Sequence, residues 1–326
     1  MSAPVVTVTL NPALDKTTII ENFEPAKTNR SRRVSYEAGG KGINVAKFLH
    51  ELNYPVIATG FIAGQNGYLI KKALQQKGVP QDFVEITGET RVNLKVIDPV
   101  SQTETEINEP GFIVRPEDLQ DLVNKLDALL GNCRLLVLSG SLPGGLAADV
   151  YAGFIKRARN RGIATVLDAE GEALKQGLRA VPLLVKPNKF EAETLLGEKL
   201  ITPADAARAG AKIRRLGAEI AVISLGPLGA VGVDSQGALW AQPPRLNVGS
   251  TVGAGDAMVA VLARALCEGI DLREDLPRAV AAGTWLAASR AGRRELTLEN
   301  LACQVRVVVL ETAPGKNIST GVSLSG

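Results

Sequence analysis

Histidine is almost missing: His50 is the only one in 326 residues. Metal sites built on two histidines are therefore excluded, and a Ser-His-Asp or Cys-His mechanism would have to run through that residue. His50 sits in INVAKFLHELN, where Ile43, Val45, Ala46, Leu49 and Leu52 make the apolar stripe of a helix. It reads as an ordinary helix-surface residue, which leaves a carboxylate or a lysine as the expected catalytic base. Cysteine is scarce as well. Cys133, Cys267 and Cys303 lie far apart with no CxxC, the usage of a reducing compartment, so a cytoplasmic protein is expected. No stretch approaches the roughly 18 apolar residues of a membrane-spanning helix, and MSAPVVTVTL lacks the charged start and apolar run of a signal peptide. Excess charge is absent too: 37 Lys+Arg against 34 Asp+Glu leave +3, too little to point to nucleic acid or a membrane as partner. What the chain does have is 45% hydrophobic and 22% charged residues, enough to bury a sizeable core over a length that suits one large α/β domain with an insertion or two ordinary ones.

Apolar runs of strand length alternate with amphipathic stretches. Strands are expected at 5–10, 56–63, 135–140, 163–168, 183–186 and 220–225, and helices at 41–52, 66–77, 116–130, 147–161, 189–196, 203–216 and 253–268. That rhythm predicts an α/β fold with a mainly parallel sheet covered by helices on both faces. Residues 17–37 and 88–112 break it: they are polar, β-favouring and without helical period, as in RVNLKVID (91–98) and TETEIN (103–108). Such strands suit a small separate sheet with one wet face, a flap beside the carboxyl ends of the main strands, where open α/β sheets bind ligands. The flap's open edge calls for cover, and a homodimer through it is expected. GKNISTGVSLSG at the end reads as a disordered tail over 317–326, which leaves one domain over 1–316.

The residues with most chemical content lie in STVGAGDAMVAVLARALCEG (250–269). Gly253, Ala254 and Gly255 open a long apolar helix, so their N–H groups lack carbonyl partners and point from its positive end, with Asp256 in the first turn. As an isolated GxGD the string fits equally a tight turn with an aspartate complementing the helix dipole. In AGGKGINVA (38–46), Gly39 and Gly40 permit close backbone approach, Asn44 offers an amide and Lys41 a cation; alone, the string fits a flexible helix entrance too. No GxxxxGK[ST] loop occurs.

Together STVGAGD and AGGKGINVA resemble the two signatures of the ribokinase-like carbohydrate kinases. NPALD (11–15), TRVNLK (90–95), SGSLPGG (139–145), DAEGEAL (168–174), KPNKFE (186–191) and SLGPLGA (224–230) resemble the sugar-phosphate branch of that family, in its order, from about residue 5 to about 292. The resemblance implies a three-layer α/β/α fold with a small β-sheet lid, and ATP-dependent phosphorylation of a sugar phosphate. Asp256 would take the acceptor hydroxyl's proton and the N–H groups of Gly253, Ala254 and Gly255 would form the anion hole, each such donor worth on the order of 3 kcal/mol. Asp15, Gly39, Gly40 and Asn44 would hold the sugar, with Asp15 at the end of the first strand; Arg91, helped by Lys41 and Ser141, would hold its phosphate. Asn29-Arg30 resembles an element that reaches substrate, although Arg30, Arg32 and Arg33 also read as a solvated edge. ATP would be met by Lys186, Asn188, Glu191, Ser224, Gly226, Gly229 and Thr251, with Mg2+ held through water by Glu191. An adenine pocket is implied near Ala282, Gly283 and residues 289–292. A monovalent cation such as K+ is implied at the carbonyls of Ser250 and Val252.

One departure ranks the substrates. Where relatives acting on fructose 6-phosphate carry an arginine in the second flap segment, this chain has Glu106, and where those acting on tagatose 6-phosphate tend to have leucine it has Asn108. The expected acceptor is therefore the 6-hydroxyl of fructose 1-phosphate, and the alternative is a 6-phosphate sugar phosphorylated at its 1-hydroxyl. A dinucleotide oxidoreductase would need GxGxxG after the first strand, which VTLNPALD lacks. A catalytically dead relative would have lost the base or the anion hole, and both are present.

Overall fold

The computed structural model describes residues 3–246, 251–290 and 296–311. The chain opens with β1 (Val5–Thr9), β2 (Ala13–Ile19), β3 (Arg33–Gly39), α1 (Lys41–Glu51), β4 (Val56–Ala63) and α2 (Gly64–Gln76). It continues through β5 (Gln81–Ile86), β6 (Arg91–Asp98), β7 (Thr103–Asn108), α3 (Pro116–Leu129), β8 (Leu135–Ser139), α4 (Val150–Arg159), β9 (Ala164–Asp168) and α5 (Gly171–Leu178). Then follow β10 (Leu184–Val185), α6 (Lys189–Leu196), α7 (Pro203–Arg215), β11 (Ile220–Ser224), β12 (Ala230–Asp234) and β13 (Gly237–Gln242). The last elements are α8 (Ala254–Glu268), α9 (Leu272–Arg290), α10 (Leu298–Ala302) and β14 (Arg306–Leu310).

Among the described residues, ten strands form one sheet in the order β14-β13-β12-β11-β10-β9-β8-β1-β4-β5. From β11 to β5 every pairing is parallel, and β12, β13 and β14 add an antiparallel edge. The parallel strands are buried on both faces, which is why they read as unbroken apolar runs such as VVTVT and LLVLS. One face packs on Leu122 and Leu126 of α3, Tyr151 and Phe154 of α4, Leu174 of α5 and Ile213 of α7. The other packs on Ile43 and Leu49 of α1, Ile70 of α2, Val259 and Leu262 of α8 and Leu276 of α9. From β1 the chain moves outward one way through β4 and β5 and then returns to build β8 to β11 on the other side. The carboxyl ends of β1 and β8 therefore flank a topological switch point, where such sheets form their ligand crevice.

The two polar segments meet in a four-stranded sheet ordered β3-β2-β6-β7. Its strands begin earlier than the sequence suggested, at Ala13, and the stretch between β2 and β3 is loop. Period-two alternation sorts the sheet: Asp15, Glu37, Asn93, Lys95, Glu106 and Asn108 share one face, and Leu14, Ala38, Tyr36, Leu94 and Ile107 the other. Near the root that apolar face is buried at Leu14 and Ala38, whereas further out Tyr36 and Ile107 are 57% and 55% exposed. Buried Asp98 pins the far end, accepting the N–H groups of Asn22 (3.1 Å), Phe23 (2.9 Å) and Val100 (2.9 Å) and so tying the two ribbons together. The expected tail, 317–326, lies outside the described residues.

Candidate active site

The crevice is assembled from strand ends and two helix starts. At the first, Gly40 leads from β3 straight into α1. Gly39 has no room for a side chain: a Cβ there would fall 2.1 Å from Asp15 Oδ2. Asp15 does not close the first strand as expected. The chain leaves β1 at Thr9, breaks at Asn11-Pro12, which a strand cannot continue through, and places Asp15 inside β2 on the polar face of the small sheet. There it pairs across to Asn93, whose Nδ2 donates to Asp15 Oδ1 at 3.0 Å. Burial raises the Asp15 carboxyl above its ordinary value, and the Asn93 bond only partly offsets this.

Arg91 begins β6 at the same end of that sheet. Its guanidinium donates to the carbonyls of Glu109 (3.1 Å) and Asn11 (3.2 Å), and burial lowers its pKa. Asn11 is the link that sequence reasoning passed over. It is buried, and its Nδ2 donates to Ser141 Oγ at 3.4 Å and to the Pro110 carbonyl at 3.2 Å. Arg91 and Ser141 are thus joined through one residue, Arg91 at the Asn11 carbonyl and Ser141 at the Asn11 side-chain amide. Asn29 turns back on its own loop, donating to the Glu24 and Lys27 carbonyls, and Arg32 pairs with Glu21. Glu106 lies 3.0 Å from Lys95 and partly neutralises that face.

The second helix start is α8. Gly253 is its N-cap at φ 79°, a left-handed conformation that glycine accepts without cost. Asp256 follows in the first turn, 6% exposed, with Oδ2 accepting from Asn44 Nδ2 at 2.8 Å. α1 and α8 therefore converge through the two residues singled out from separate motifs. Burial, together with the nearby Asp168 charge, raises the Asp256 pKa to about 6. The anion hole differs in one detail from expectation: the Ala254 N–H donates to the Thr251 carbonyl at 3.0 Å, so that donor is turned back on its own loop.

Between these helix starts lies a buried ion network. Lys41 Nζ is 3.3 Å from Asp168 Oδ1 and 3.4 Å from Glu191 Oε1, and Lys186 Nζ is 3.4 Å from Asp168 Oδ1. Lys186 also reaches the start of α8, since a Cβ on Gly255 would lie 3.3 Å from its ammonium. The lysines outweigh the burial of Asp168 and hold its carboxyl below the ordinary value, while the carboxylates raise Lys41. Lys41 was expected at the sugar phosphate; its resting partners are Asp168 at the end of β9 and Glu191 in the first turn of α6. Asp168 was visible in DAEGEAL but carried no assigned role.

Asn188 and Glu191 have a local job as well. Asn188 Oδ1 accepts from the Glu191 N–H and Glu191 Oε2 from the Asn188 N–H, both at 2.8 Å, a capping box for α6. The other Glu191 oxygen faces Lys41. Ser224 bridges to Asn188, and Gly226 and Gly229 close the turn that follows it. Ala282 is buried, and Gly283 lies where a Cβ would come within 3.0 Å of the Ala254 carbonyl. Both are small residues in the packing of α9, Gly283 directly against α8. Of the remaining expectations, Ser250, Ala291 and Gly292 lie outside the described residues.

A carboxylate at a helix start, lysines beneath it and an amide on the facing helix make a set suited to moving a phosphoryl group onto a hydroxyl. The model of the pfkB family of carbohydrate kinases matches residues 8–298. The chain belongs to that family. A pfkB relative, 1-phosphofructokinase of Xanthomonas campestris, is 36% identical over 318 residues, spanning 96% of this chain and all of its own. Phosphofructokinase-2 from Escherichia coli, solved with substrates and products, superposes with a TM-score of 0.84 at 32% identity and covers 92% of this chain and 98% of its own. The same enzyme in complex with potassium gives a TM-score of 0.86 at 32% identity over the same shares. This pfkB protein accordingly has the ribokinase-like α/β architecture with its small accessory sheet and is a phosphotransferase that uses ATP. Among its described residues no helix is long and apolar enough to cross a membrane, and no group of three His, Cys, Asp or Glu gathers as a metal site.

Proposed function

We propose that the enzyme transfers the γ-phosphate of ATP to the 6-hydroxyl of fructose 1-phosphate, giving fructose 1,6-bisphosphate and ADP. The observation that carries the reading is Asp256: a buried carboxylate at the start of α8, held at 2.8 Å by Asn44 from the sugar-side helix. It receives the hydroxyl proton as the oxygen attacks in line, while the N–H groups at the start of α8 take the charge on the moving phosphoryl group. Asp15, Gly40 and Asn44 hold the sugar hydroxyls, and Gly39 lets Asp15 close in. Arg91 and Ser141, organised by Asn11, hold the 1-phosphate. Lys41 reaches between the sugar and the nucleotide, and Lys186 meets the ATP phosphates; Asn188, Ser224, Gly226, Gly229 and Thr251 line the nucleotide side.

Mg2+ would arrive with ATP, and the donor set fits a mostly hydrated ion: Glu191 keeps one carboxylate oxygen clear of its capping bonds, enough for contact through water. Such an ion supplies charge neutralisation along the triphosphate. A monovalent cation beside Val252 is supported by the potassium complex of the Escherichia coli phosphofructokinase-2. The exposed Tyr36 and Ile107 face of the small sheet supports a homodimer through the lid. The three free cysteines fit a cytoplasmic location.

The test is ADP release with fructose 1-phosphate, fructose 6-phosphate and tagatose 6-phosphate side by side. A kcat/KM preference of about a hundredfold for fructose 1-phosphate, near 2.7 kcal/mol in the transition state, is expected. A preference for either 6-phosphate would overturn the substrate and leave the fold and the base standing.

A further inference from the structure

We propose that Asp168 is a positioning residue for the phosphoryl transfer, fixing the ammonium groups of Lys41 and Lys186 and holding Lys41 away from the Asp256 carboxylate. The proposal rests on the kinase reading above. Asp168 ends β9 in register with Ser139 at the end of β8, beside the switch point. It is 1% exposed, and its two oxygens divide the work: Oδ1 faces both lysines, and Oδ2 accepts from Ser139 Oγ at 3.3 Å. Two cations this close to a single atom repel each other unless a full negative charge stands between them.

The two lysines are not equivalent. Lys186 is sealed in, with 4% of its side chain exposed, and a cation so buried calls for a counter-charge beside it, which Asp168 supplies. Lys41 is 36% exposed and has room to swing. It lies one helical turn before Asn44, the residue bonded to Asp256, so the two side chains address the same space from α1. A Lys41–Asp256 ion pair would occupy the base and weaken it as a proton acceptor. Asp168 and Glu191 draw Lys41 to the opposite side. The charged and polar groups that face Asp256 are Lys41, Asn44 and Lys47 from α1, Asp168 from β9 and Lys186 from beyond β10. Of these, Asp168 alone brings negative charge, and its removal is expected to make Asp256 more acidic.

The experiment uses the full-length enzyme with Asp168→Asn and Asp168→Glu, measuring kcat, both KM values, the Mg2+ dependence and the pH profile of kcat/KM. For Asp168→Asn, kcat is expected to fall on the order of 100-fold. The acid limb should move to lower pH, with the sugar-phosphate KM and Mg2+ dependence near wild type. Asp168→Glu keeps the charge but displaces both lysines, so kcat should fall with the acid limb in place; this variant decides the matter if Asp168→Asn does not fold. Wild-type kcat in either folded variant overturns the proposal, as does a steeply raised Mg2+ requirement, which would assign Asp168 to the metal. An active Asp256→Asn enzyme would overturn the kinase reading of the base instead, so the two failures are distinguishable.

Discussion

Replacing Asp256 with asparagine is expected to cut kcat by about three orders of magnitude while ATP affinity stays near wild type. The side chain keeps its shape, and an amide oxygen can still accept the 2.8 Å bond from Asn44, so only the capacity to take a proton is lost. The pH profile gives an independent check. With a pKa raised to about 6 by burial and by Asp168, the wild-type kcat/KM should fall below that pH, and the residual activity of the variant should lack this limb. Stability should move the other way. A carboxyl whose folded pKa lies above its ordinary value of 3.8 favours folding most when protonated, at low pH, and loses that contribution as pH rises toward about 6. Above pH 6 the native enzyme carries the full penalty of a buried charge and the amide does not. Asp256→Asn should therefore melt no lower than wild type at pH 7.5. An active variant, or an inactive one that is also unfolded, would count against the assignment.

Gly39→Ala is expected to raise the sugar-phosphate KM on the order of 100-fold with little change in melting temperature. The added methyl collides with the Asp15 carboxylate, at 2.1 Å from Oδ2 and 2.4 Å from Cγ, rather than with backbone. A side-chain tip can rotate away at modest cost to the fold, but here the tip that must move is the group proposed to hold the sugar, and Asn93 loses its partner with it. The ATP KM should be unaffected, because the nucleotide-side residues stand on other elements. A wild-type sugar-phosphate KM would show that Asp15 does not read the sugar.

The parallel sheet was legible because its strands are buried on both faces and appear as short apolar runs: 56–63 was read with its observed limits, as was the helix at 189–196. The antiparallel edge was not. β12 and β13 are five and six residues long with glycine inside or at their start, and neither run stands out from a turn-rich stretch. α9 was missed because Pro277 interrupts it and its sides are nearly equally apolar, which hides the helical period. At the site, the convergence of Asn44 and Asp256 followed from two motifs, whereas the ion network did not. Lys41, Asp168 and the Lys186–Glu191 stretch come from three separate segments, and only the strand order brings them together. The capping box at Asn188 carries a different lesson: N-x-x-E has a sufficient local reason to exist, so its presence alone does not imply a metal.

Two of the four connections that tie the accessory sheet to the rest of the chain are very short. β2 springs from β1 across Asn11-Pro12, and β3 runs into α1 through Gly40. Both joints sit at the floor of the proposed sugar pocket, between Asp15 and Asn44. A plate attached in this way would swing, at these two joints, about the same few peptide bonds that are proposed to touch the sugar. Its door hinge and its keyhole coincide, so a poorly fitting sugar would hinder the swing directly, without a separate signal having to travel to the lid.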